Sequence, residues 1–327
     1  MNEYDRELMS LVERADAGDV SAQNSLHNYF FDEDDLLQNF DDPVVMNFYH
    51  KGALSKGPYS LYQLAIIYLC HKPHLDKTRG LAFLQESIHA NCSQAYFVMA
   101  VYHKNKVFAD IGDTPEEQAM KYNYFLNLAF EMENSNAYIL KAKDTSNIVS
   151  KEALLKKAAQ LGNVNALSYL GQFYTEKGIY GLAVNVLNEG CDKMNSHAYF
   201  NYAILYRDGK GCEKDMQMAM DLFEKSVGLG NVRALVCLGS IWHDRGEYVK
   251  AEPYYLEAIA KNDGLACYNM GLIRVADKQY LEALKLFKLG ARWGDKSSIT
   301  KLQRCKLTKN STDEEIIEKL STAKTHL

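Results

Sequence analysis

The chain has 327 residues, about twice the length of a typical globular domain, with 47 % hydrophobic and 24 % charged residues and a net charge of −5. That charge excludes sequence-independent nucleic-acid binding, which needs a dense set of Lys and Arg against the phosphates. The longest apolar run, Leu64 to Cys70, is far too short to span a bilayer.

The N-terminal segment MNEYDRELMSLVERADAGD lacks the basic start and apolar centre of a signal peptide, so a cytoplasmic protein is expected. Seven cysteines with no CxxC pair read as reduced thiols. Residues 1–145 carry diverged copies of a repeat. Ala15, Gly18, Ala22 and Leu26 form the first, and others centre on Leu61, Ala95 and Ala137. Between them, residues 32–42 hold six acids and no base. That run is either a solvated loop or a docking patch for a basic partner. Thr114-Pro115-Glu116-Glu117 is a helix start, with Thr as N-cap and Glu three residues on, and it opens a helix through Phe125 and Phe130.

Residues 146–307 are the regular part. One frame fits Val227, Gly230, Ala234, Leu238, Gly239 and Trp242, and again Ala159, Gly162, Ala166, Leu170, Gly171 and Tyr174. It fits Cys191, Met194, Ala198, Tyr202, Ala203 and Tyr206, and more loosely Ile259, Asn262, Ala266, Met270, Gly271 and Arg274. From Ala137 the small anchors fall at 137, 166, 198, 234, 266 and 298. Most steps are 32 residues, and the step of 36 holds the glycine-rich loop at 209–211. Each unit has a second anchor (Ala183, Ala219, Ala251, Ala283) followed four residues later by a bulky side chain (Leu187, Phe223, Tyr255, Phe287). Residues four apart share a helical face, so the small one admits a neighbouring helix and the large one fills the groove beside it. Glycine inside a helix costs roughly 1 kcal/mol. Gly171, Gly239 and Gly271 therefore mark close helix crossings that offset it. Residues 308–327 are expected to form a terminal capping helix, with a Thr312/Glu315 capping box and Ile316, Ile317 and Leu320 on one face.

The stretch Tyr206, Gly209, Gly211, Asp215, Ala219, Ala234, Leu238 and Gly239 resembles a Sel1-like repeat. Leu238, Gly239, Trp242, Gly246, Tyr248, Ala251, Tyr255 and Ala258 resemble a tetratricopeptide repeat. The resemblance implies an all-α, right-handed superhelical solenoid of antiparallel helix pairs, continuous along the chain, whose concave groove binds peptides or proteins. The cysteine pairing of the secreted Sel1-like branch is missing.

No P-loop, GxGxxG, GxSxG, HExxH or EF-hand pattern is present, so no enzyme activity and no cofactor are expected. Cys70, His71 and His74 are the only compact set of metal-ligand side chains, and beside Pro73 they read as a helix end rather than a zinc site. Most of the 22 tyrosines fall at packing positions.

In the tetratricopeptide pattern the first helix of each pair faces the concave side. Carried onto this chain, the groove positions are Asn165, Ser168, Gln172 and Thr175, then His197 and Arg207, then Arg233, Ser240 and His243. Asn and Gln can clamp an extended peptide backbone, and Arg can hold a carboxylate through two hydrogen bonds. In the last full repeat Leu265, Tyr268, Leu272 and Val275 make either an apolar end to the groove or a surface buried under the C-terminal helix. The expectation is a non-catalytic adaptor or scaffold for a protein or peptide partner. The alternative is a regulator or inhibitor of one partner, of the immunity type, and self-association stays open.

Overall fold

A computed structural model describes residues 3–19, 22, 43–70, 74–105, 114–305 and 312–322, and all their regular structure is helical. The acidic run 32–42, Leu26, His71 and Pro73 lie outside the described residues. The chain forms two compact units, Met1–Lys193 and Met194–Leu327.

The first unit contains α1 (Glu3–Asp16), α2 (Pro43–Leu54), α3 (Pro58–Cys70), α4 (Lys77–His89), α5 (Ser93–Asn105), α6 (Pro115–Glu131), α7 (Ser135–Asp144), α8 (Ile148–Gln160), α9 (Asn165–Glu176) and α10 (Tyr180–Asp192). From α3 onward consecutive helices pack as pairs: α3 with α4, α5 with α6, α7 with α8, and α9 with α10. Helix α3 is apolar on every side, and nearly all of it is buried. Tyr59, Tyr62, Leu64 and Ile67 centre a core that also takes in Val12 and Ala15 of α1 and Leu84 of α4. Asp16 ties α1 to that core by accepting the Ser60 N–H at 2.8 Å and its hydroxyl at 2.7 Å. Thr114 makes the expected capping box with Glu117 at the start of α6.

The second unit contains α11 (Ser196–Asp208), α12 (Met216–Gly228), α13 (Val232–Asp244), α14 (Tyr248–Ala260), α15 (Gly264–Ala276), α16 (Tyr280–Arg292), α17 (Lys296–Cys305) and α18 (Asp313–Thr322). Pairs α11–α12, α13–α14 and α15–α16 repeat the same packing. Helix α18 opens on the Thr312/Glu315 box and puts Ile316 and Leu320 into a cluster with Val275, Leu284, Phe287 and Cys305.

The repeat register is visible in burial. Ala137, Ala166, Ala198, Ala234, Ala266 and Ser298 are all fully buried, as are Ala183, Ala219, Ala251 and Ala283. The glycines explain the tight crossings. A Cβ on Gly171 would lie 2.3 Å from Leu187, one on Gly239 2.6 Å from Tyr255, and one on Gly271 2.5 Å from Phe287. Each partner follows its glycine by sixteen residues, so the anchor and the bulky residue of one pair meet across the pair.

Two local devices end and start the helices. At the helix ends, residues 162, 178, 194, 230, 246, 262, 278 and 294 all have positive φ. Five are glycine, while Met194, Asn262 and Lys278 hold the same left-handed conformation without its steric relief. At the starts of the first helices, an Asn or Asp three residues before the anchor caps the backbone. Asn134, Asn195, Asp263 and Asp295 accept the N–H of Ala137, Ala198, Ala266 and Ser298 at 3.1, 2.8, 2.8 and 2.6 Å. In the first unit these caps also bridge repeats: buried Asn163 donates to Ser135 Oγ at 3.1 Å and Asn136 Oδ1 at 2.8 Å.

Candidate binding faces of the first helices

In the first unit, the groove positions of α9 divide. Gln172 is exposed and its amide donates to Glu176 at 2.9 Å. Asn165 and Thr175 are half-buried, and the Thr175 hydroxyl donates back to the Gly171 carbonyl at 2.7 Å. Ser168 is buried at 3 % exposure and its hydroxyl donates to the Asn165 carbonyl, so it packs the repeat and offers no surface to a partner. The equivalent residues of the next two first helices, Phe200 and Val236, are buried too, so this position faces the interior. Beside Gln172 lies a cavity of about 190 Å³ with Leu155 and Phe173 among its apolar lining and Lys143, Lys151 and Tyr169 among its polar lining. The Lys143 ammonium donates to the Tyr169 hydroxyl at 2.5 Å.

In the second unit, Arg207 lies in the last turn of α11 and Arg233 in the first turn of α13. Both guanidinium groups act on the thiol of Cys237: burial pushes that thiol up, and the two positive charges oppose it. Arg207 is half-buried and its Nε donates to Asp208 at 2.8 Å, while exposed Arg233 stacks 4.8 Å over the Phe200 ring. The bond from Arg207 holds the Asp208 carboxyl below its usual value, with Lys210 adding to it at 3.1 Å. Ser240 is a junction: its oxygen lies 3.3 Å from the Tyr255 hydroxyl and 3.4 Å from the Asn269 amide nitrogen, both of which donate to it. Burial pushes the Tyr255 hydroxyl up to about 12, so it remains a neutral donor at physiological pH. His243 meets Tyr248 edge-on at 5.1 Å, and His197 is half-buried.

Tyr268, Leu272 and Val275 belong to one apolar cluster with Leu302, Cys305, Ile316 and Leu320, so this part of α15 is covered by the terminal helices. Leu265 stays 44 % exposed. Tyr169, Lys143, Lys151 and Asn269 extend the faces beyond the residues expected from sequence. Among the described residues no three His, Cys, Asp or Glu side chains converge as metal ligands, and no helix is long and apolar enough to cross a membrane.

The fold is similar to that of a solved Sel1 repeat protein from Oxalobacter formigenes. That structure superposes with a TM-score of 0.52 over 91 % of this chain and 89 % of its own, at 14 % identity. The chain has the Sel1-repeat fold. A second Sel1-like-repeat structure, a protective antigen of uropathogenic Escherichia coli strains, aligns with a TM-score of 0.44 over 91 % of this chain and 74 % of its own, at 17 % identity. In sequence, the chain matches Chitin synthase regulatory factor 4 of Schizosaccharomyces pombe, 29 % identical over 112 residues. That match covers 34 % of this chain and only 17 % of the yeast protein's length. No family model matches the chain.

Proposed function

We propose that this protein is a non-catalytic, cytoplasmic adaptor that binds an acidic, extended segment of a protein partner on the exposed faces of its first helices. The observation that carries this reading is the exposed guanidinium of Arg233, stacked on Phe200, together with Arg207 on the preceding first helix, both acting electrostatically on Cys237. The Ser240–Asn269 junction adds polar groups for a peptide backbone. Arg233 is pre-oriented by its stacking on Phe200, which lowers the entropy lost when it grips a carboxylate. The fold supports the same role, because repeat solenoids present extended surfaces to other proteins. The fission-yeast relative is named as a regulatory factor, which suits a binding role rather than a catalytic one.

The test is charge reversal, Arg207→Glu together with Arg233→Glu. A partner captured from host extract on the wild type is identified, and its bound segment is titrated against both proteins. Affinity should fall at least about tenfold, since a charge-assisted hydrogen bond is worth about 1.5–3 kcal/mol. Equal affinity in a variant with wild-type helix content and unfolding midpoint removes these two residues from the binding face.

A further inference from the structure

The second unit holds a basic cleft that the adaptor reading does not use. It measures about 260 Å³ and is lined by Tyr268 of α15 and by Lys296, Ser297, Thr300, Lys301 and Arg304 of α17. Along α17, Lys296, Thr300 and Arg304 are spaced four apart, as are Ser297 and Lys301, so both rows run along the side of the helix that faces the cleft. The cleft therefore carries three cations and three hydroxyls and no acidic lining residue. None of the three cations has a carboxylate partner among the described residues, whereas Arg207, Lys250, Arg274 and Lys288 of the same unit are each in an ion pair. Asp295, the acid adjoining α17 in sequence, is committed to the Ser298 N–H at 2.6 Å. Lys301 and Arg304, three residues apart on one helix, repel each other, and no acidic lining residue offsets that repulsion.

We propose that this cleft binds a dianionic oxyanion, the phosphoryl group of a phosphorylated side chain on a protein partner. The charge argues for a dianion: one carboxylate would leave two cations uncompensated, while a phosphoryl group carries close to two charges and three acceptor oxygens. The donors match those oxygens, with Lys and Arg for charge and Ser297, Thr300 and Tyr268 for neutral hydrogen bonds. The volume of about 260 Å³ lies just under the range of about 300–1,000 Å³ for pockets that take whole small molecules, which suits a single oxyanion group. That the phosphoryl group arrives on a protein rests on the adaptor reading, whereas anion capture by the cleft does not.

The experiment is a titration of isotopically labelled full-length protein at constant ionic strength, read from the backbone amide shifts of residues 296–304. The probes are N-acetyl-phosphoserine amide, N-acetyl-glutamate amide and inorganic phosphate. The phosphoserine probe should give saturating shifts, at least about tenfold tighter than the glutamate probe, because it brings a second charge and a third oxygen. Lys301→Gln with Arg304→Gln should weaken it at least tenfold. Arg207→Glu with Arg233→Glu should leave it unchanged, which separates this site from the adaptor face. Shifts that rise linearly without saturating, equal binding by the Lys301/Arg304 variant, or equal affinity for glutamate would each overturn the proposal. So would binding of inorganic phosphate with no binding of the phosphoserine probe.

Discussion

Gly239→Ala puts the close crossing of α13 and α14 to a quantitative test. The added methyl would sit 2.6 Å from Tyr255 Cε1 and 2.9 Å from Cδ1 and Cζ. Ordinary contact begins at 3.4 Å, so the ring or the helix must give way by about 0.8 Å. Tyr255 has little room to move: it is fully buried and its hydroxyl bonds to Ser240. Overpacking of this kind costs about 1–3 kcal/mol, while replacing a mid-helix glycine by alanine returns about 1 kcal/mol. The net expectation is a loss of up to about 2 kcal/mol. Gly239→Leu, with three more carbons, should lose more. The decisive comparison repeats Gly239→Ala in a Tyr255→Ala background. Tyr255→Ala alone should cost about 3–5 kcal/mol. With the ring gone, the same methyl should now stabilise, by up to about 1 kcal/mol. Urea unfolding followed by circular dichroism measures all four corners of the cycle. An equal effect of Gly239→Ala in both backgrounds would show that the glycine does not exist to admit Tyr255, and the packing account would fail.

Other outcomes follow from the turns, the caps and one hydrogen-bonded carboxylate. Lys278→Gly should raise stability by up to about 1 kcal/mol, because Lys278 sits at φ 61, where a side chain is strained; an unchanged urea midpoint would argue that the turn bears no strain. Asn163→Ala should cost about 1–3 kcal/mol, since it strips the hydrogen bonds to Ser135 and Asn136 inside a buried site, and thermal unfolding would show it. Burial alone would raise the Asp144 carboxyl, but the bonds from Lys104 and Tyr122 outweigh it and hold the group below 3.8. A depressed carboxylate contributes stability above its unfolded pKa and loses it as pH falls through the folded one. Asp144→Asn should therefore narrow the stability gap between pH 7 and pH 2 relative to wild type, and parallel pH profiles would refute the linkage. Exposure of that side chain and of Lys104 keeps the effect well under that of a buried pair.

The helix-pair register was legible because packing imposed two strict demands on composition. A crossing this close favours glycine, and its partner must be large, so Gly171, Gly239 and Gly271 stood out with Leu187, Tyr255 and Phe287. The caps carried an equally regular signal in Asn134, Asn195, Asp263 and Asp295, three residues before each anchor, but Asn and Asp are common in loops and do not announce themselves until the anchor is fixed. The binding faces were less legible. Ser168 looks like surface by its polarity, yet its helix turns that position inward, where Phe200 and Val236 stand in the following repeats. Lys143 and Tyr169 could not be paired from sequence, because they come from helices of different repeats and meet only after packing. The cationic cleft was hidden for a related reason: Lys296, Lys301 and Arg304 look like ordinary surface charge until Tyr268 is seen beside them.

The turn after α11 is longer than its counterparts, with Gly209 and Gly211 both at positive φ, and it holds the four residues by which that step exceeds the others. Ala198 and Ala234 on either side remain fully buried. Added length at that turn is thus spent outside the core. This makes 209–215 the natural port for an inserted reporter or epitope, because the chain there already accommodates extra residues without transmitting a phase error to the helices that follow.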